Sequence, residues 1–207
     1  MRTMRPPGWK IAAVLLVGIL AISFGSILVR LARRASGDQS LAFSLVMSAG
    51  RLALAALLFA PGWTRPLEGR AGLPFALAAG GFLALHFAFW ITSLSYTSVA
   101  DFLALLGAVA ASCYFLLGRE AQRRGLSTWA YVRVAYTAAA LLLLPLPYLF
   151  GGGYGGYPLE VYAYLLLMAL LPQLVGHTSF NWATRHIPPV LVTLAILFEP
   201  VGASLLA

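Results

Sequence analysis

Long apolar runs separated by short polar intervals make up nearly the whole chain. Ile11–Val29 holds no charged residue, Ser40–Ala60 is interrupted only by Arg51, and Gly72–Ser95 carries no charge. Phe102–Leu117, Thr128–Phe150, Pro158–Trp182 and Val190–Ala207 continue the series. A bilayer core takes about 20 apolar residues as a helix, so seven membrane-spanning helices are predicted. The intervals carry the residues that stop helices: Ser36-Gly37-Asp38-Gln39, Pro61-Gly62, the glycine-rich 151–156 and Pro188-Pro189. The first apolar run exceeds the core of about 7–15 residues of a signal peptide, so it is read as a retained helix. One boundary is abrupt. Ser95-Tyr96-Thr97-Ser98-Val99-Ala100 runs straight into Asp101 and the next apolar run, leaving few residues for a reversal.

Polar residues inside these runs are expensive, because lipid supplies no water to satisfy them; they normally face a protein interior or a wet cavity. His86, Phe89, Trp90 and Ser93 are spaced as one stripe of a helix. His177, Phe180, Asn181 and Thr184 repeat that stripe downstream. At a constant offset of 91, Leu83 aligns with Leu174, His86 with His177, Phe89 with Phe180 and Val99 with Val190. Two copies of one polar, aromatic helix suggest a two-fold repeat with a site between them, fit for a small amphipathic solute. The plainer alternative is that each histidine bonds a neighbouring helix. Glu199-Pro200 sets a carboxylate beside a helix bend, where it carries a proton, binds an amine, or pairs with Arg51 or Arg185. Arg51, among small residues, is read mainly as a lock between helices, with an anion-binding role as the alternative.

Composition narrows the class. Apolar residues make up 61% and charged residues 10%, with a mean hydropathy of +0.87. Such a chain has bilayer, not water, as its main solvent. The net charge of +8 does not signal nucleic-acid binding, because the arginines flank apolar runs. With the N-terminus inside, the inner segments carry residues 2, 5, 10, 65, 70, 119, 123, 124 and 185, against 30, 33 and 34 outside. That bias places the N-terminus in the cytoplasm. The single Cys113 excludes an internal disulfide and reads as a small packing residue. Residues 151–156 match G-x-G-x-x-G literally, but no strand precedes them, so they read as a loop. No phosphate-binding, hydrolase or metal-ligand motif is present, and no catalytic residue, metal or cofactor is expected.

The segments FGSILVRLA, SLAFSLVMSAGRLALAALLFAP, HFAFWITSLSYTSVA, DFLALLGAVAASCYFLLGR and HTSFNWATRHIPPVLVTLAILFEPVGASLLA resemble EamA-type transporters of the drug/metabolite transporter superfamily. The resemblance implies an ancestor of ten helices in two inverted five-helix repeats around a substrate cavity, working without ATP in an inner membrane. In that pattern the Tyr96–Ala100 string ends the third helix, and the Asp101–Arg119 string belongs to the sixth. Here they touch, so the chain reads as lacking helices four and five and a C-terminal helix.

The expectation is therefore an all-α polytopic bundle. Residues 1–100 form what remains of a first repeat and 101–207 a second. The expected function is secondary transport of a small metabolite, amino acid or drug by alternating access. His86, Trp90, His177, Asn181, Trp182 and Glu199 are the expected substrate-binding residues. The expected partners are the bilayer, a small-molecule substrate and a second copy on the open side. The alternative is a non-transporting remnant or accessory subunit.

Overall fold

A computed structural model describes residues 6–95 and 99–206. Arg2, Arg5, Tyr96, Thr97, Ser98 and Ala207, which enter the charge count, the abrupt junction and the last apolar run, lie outside the described residues. The described chain is helical, without strands. Its helices are α1 (Gly8–Ser36), α2 (Leu41–Leu58), α3 (Leu73–Ser93), α4 (Ala100–Arg123), α5 (Thr128–Leu143), α6 (Leu146–Leu149), α7 (Leu159–Met168), α8 (Thr178–Thr184), α9 (Pro189–Ile196) and α10 (Glu199–Leu206). A π-helical segment, Ala169–His177, joins α7 to α8. Among the described residues, seven helices are long and apolar enough to cross a membrane; α5–α6, α7–α8 and α9–α10 each form one span.

Local chemistry sets the ends. The Ser40 hydroxyl accepts from the Phe43 amide at 3.1 Å and starts α2, as Ser127 accepts from Ala130 at 3.2 Å and starts α5. Gly37 closes α1 in the left-handed conformation, φ 68°, its amide donating to the Arg33 carbonyl. α1 therefore runs beyond the apolar stretch and through Arg30, Arg33 and Arg34, where cations suit the helix C-terminus. Arg33 turns inward: Nη2 donates to Ser44 Oγ at 2.9 Å and to the Ile91 carbonyl at 3.2 Å.

The spans run alternately up and down. One end of the bundle gathers the start of α1, the loop after α2, the α4–α5 turn and the end of α8; we call it the N-side. Apolar contact alone does not drive helices together in lipid, so close approach and hydrogen bonds must do it. A Cβ on Gly176 would lie 2.5 Å from Ile22, and one on Gly18 2.8 Å from Phe180, so α1 meets the span from α7 to α8 almost backbone to backbone. Ser48 Oγ donates to the Phe87 carbonyl at 3.0 Å and ties α2 to α3. The outward faces, such as Phe102, Leu105 and Val109 on α4, Leu194 on α9 and Phe198 at the α9–α10 break, are apolar and suit lipid.

Candidate functional site: a polar cavity between the histidine helices

Five segments converge midway along the spans on a cavity lined by Ile22, Gly25, Arg51, His86, Phe87, Trp90, Pro172, His177 and Glu199. α1 supplies the floor at Gly25, where a Cβ would lie 3.3 Å from Trp90 and 3.9 Å from Glu199 Oε1. α2 contributes Arg51, and α3 contributes His86, Phe87 and Trp90. The π segment brings Pro172 and His177. Pro172 has no amide to donate, and the wider i→i+5 turn around it accommodates the break while delivering His177 to the interior. Glu199 enters at the first residue of α10, after the helix breaks at Leu197-Phe198. The expected bend at Glu199-Pro200 is thus a break between two short helices.

The two imidazoles face each other with ring centroids 5.9 Å apart. They differ in what holds them. His86 Nδ1 lies 2.9 Å from the Gly107 carbonyl of α4. A carbonyl only accepts, so Nδ1 carries the proton, and Nε2 of the neutral ring is an acceptor. His177 is buried, and its Nδ1 has no hydrogen-bond partner. Phe87 packs edge-on against His177 at 5.1 Å, and Phe115 stacks on it at 6.4 Å. Arg51 is 1% exposed. Its guanidinium lies 4.0 Å over the Phe87 ring, and Nε and Nη2 find no acceptor. Arg51 and Glu199 attract across the cavity without a direct contact; the two ion pairs among the described residues are both made by Glu120. Arg185 is exposed at the end of α8.

Four of the six residues singled out from the sequence, His86, Trp90, His177 and Glu199, line this cavity. Asn181 does not. It is fully buried one turn below His177, and its amide donates to Tyr114 OH at 2.5 Å. Tyr136, Thr178, Gln122 and Thr128 extend that network toward the N-side. Trp182 faces away, its ring tilted against His186 at 4.5 Å, and lines a separate groove with Lys10 and Trp129. Sequence spacing passed over Phe87, choosing Phe89 by its i+3 relation to His86. It also passed over Gly25 and Pro172; a proline inside an apolar run was the one available signal.

These features define a multi-pass helical membrane protein with a small polar centre buried between its spans. A model of the EamA-like transporter family matches residues 98–207, and the chain belongs to that family. Membership places it among membrane transporters of the drug/metabolite type. No curated protein and no solved structure matches the chain.

Proposed function

We propose that the protein is a secondary transporter of a small organic solute, working by alternating access around the His86–His177 cavity. The observation that carries this reading is the convergence of two histidines, a free buried guanidinium and a carboxylate in one mid-membrane space. Such groups are retained in lipid when they serve a permeating solute or ion. Arg51 would take an anionic group, Glu199 a proton or an amine, and Phe87 and Trp90 an apolar body. The cavity measures about 20 Å³, room for about one water molecule. A solute therefore needs an opening motion, and the broken α9–α10 span beside Glu199 is the segment we assign to it. We read the halves 1–100 and 101–207 as inverted repeats: α3 and α7–α8 cross the bundle in opposite senses, and the family match covers the second half. The cation-rich N-side fits the cytoplasmic face of an inner membrane. No chemical conversion of the solute is part of the reading.

The small cavity also favours a second reading, a non-transporting membrane protein whose polar centre only fixes helix packing. Flux of a panel of amino acids, amines and organic anions into proteoliposomes separates the two. We expect uptake of at least one solute by the purified chain. The His86→Ala, His177→Ala double variant should lose about tenfold or more, as loss of one or two hydrogen bonds implies. Flux unchanged in the double variant removes the histidines from the path. Absence of flux for every solute favours the second reading.

A further inference from the structure

A second cavity, remote from the histidines, opens at the N-side between the loop after α2 and the start of α5. It measures about 410 Å³ and is lined by Leu58, Phe59, Pro61, Gly62, Arg65, Pro66, Ser127, Trp129, Ala130 and Arg133. Its charged groups are two arginines, and no acidic residue is among its lining. Arg133 is 6% exposed although it sits in the second turn of a membrane-spanning helix. Nη1 donates to the Gly62 carbonyl, and the guanidinium lies 4.9 Å over the Trp63 ring. Its Nε is buried with no acceptor. Gly62 makes this seating possible: a Cβ there would lie 2.6 Å from Arg133 Nη1. The first turn of α5 opens onto the same space and adds the partial positive charge of a helix N-terminus.

We infer that this cavity binds a phosphate-type anion between Arg65 and Arg133. Two guanidinium groups, a helix N-terminus and an unsatisfied buried N–H all favour such a ligand, and no carboxylate competes. The same chemistry could arrive as a free phosphate or as a phospholipid headgroup. The surroundings favour the lipid. Trp63 and Trp129 are interfacial anchors, and Trp129 also walls an adjoining groove of about 460 Å³ with Lys10, Val14, Leu174, Val175 and Trp182. A headgroup at the arginines would lay an acyl chain against that apolar wall, and Lys10 adds a third cation at its edge.

The purified full chain in detergent provides the test, by native mass spectrometry with phosphatidylglycerol against phosphatidylcholine and by thermal shift with inorganic phosphate. We expect retained phosphatidylglycerol, weakened about tenfold by Arg133→Gln or Arg65→Gln, the loss of one hydrogen bond to a charged group. Arg65 is exposed and its side chain makes no hydrogen bond to the described protein, so Arg65→Gln removes charge without disturbing the loop. A saturable thermal shift with phosphate, lost in both variants but without preference for the anionic lipid, upholds the site and assigns it to a soluble anion. Equal binding of both lipids, with no phosphate effect and no difference between wild type and Arg65→Gln, overturns it. Transport failing while this binding persists, or the reverse, separates it from the function proposed above.

Discussion

Arg51 concentrates the tension between stability and function. A guanidinium surrounded by protein at membrane depth pays for its desolvation through hydrogen bonds, and here Nε and Nη2 make none. The Phe87 ring offsets part of the cost, and Glu199 acts only at a distance. On the proposed transport function, such a group is one kept ready for a ligand. Replacing it with an apolar side chain of similar length should therefore help folding and harm transport. We expect Arg51→Met to raise thermal stability in detergent by about 1 kcal/mol while lowering flux by about tenfold or more. A fall in Tm would show that the arginine chiefly holds α2 to α3. His86 is a contrasting case, because its Nδ1 is already engaged by Gly107. The two histidines look equivalent in the sequence, which shows their common spacing but hides which of them is anchored.

At the scale of elements, the helices could be read from apolar run length and from the Pro, Gly and Ser that end them. Ser40, just after the turn residues 36–39, caps α2, and Ser127 caps α5. Two features were hidden. α1 extends to Ser36 because cations at a helix C-terminus are favourable, so charge did not mark its end. The π segment was hidden because its residues, Ala169–His177, have no distinctive pattern beyond Pro172. That segment sets the azimuth of His177. If Pro172 is removed, ordinary i→i+4 bonding can resume. A change of one residue in register would turn everything beyond it by about 100°. We expect Pro172→Ala to stabilise the helix by up to about 3 kcal/mol and to reduce flux at least as much as His177→Ala. Circular dichroism melts and proteoliposome flux read the two effects separately. Unchanged flux would mean that the wide turn is held by packing at Gly18 and Gly176 rather than by the proline.

For the whole molecule, His86 and His177, which the offset of 91 aligns in the sequence, lie with their rings 5.9 Å apart. The network that takes Asn181 and the groove that takes Trp182 depend on α4 and α5, whose contribution no spacing within α8 reveals. The proposed transport function requires so small a cavity to open, and the geometry singles out α10. It packs on α1 through Gly202, where a Cβ would lie 3.0 Å from Ser23 Cβ. Ser23 Oγ also reaches the Glu199 carbonyl at 3.3 Å. Disulfides need Cβ atoms about 3.5–4.5 Å apart, so a small separation lets Ser23→Cys and Gly202→Cys cross-link. Cys113 is the one native thiol, and Cys113→Ser gives a clean background. If α10 must leave α1 to open the cavity, the oxidised double-cysteine protein should be folded, with unchanged or higher Tm, yet without flux, and dithiothreitol should restore transport. Full transport by the oxidised protein would place the moving part elsewhere, because a covalent tether at Gly202 leaves Glu199, less than one helical turn away, no freedom to swing out of the cavity.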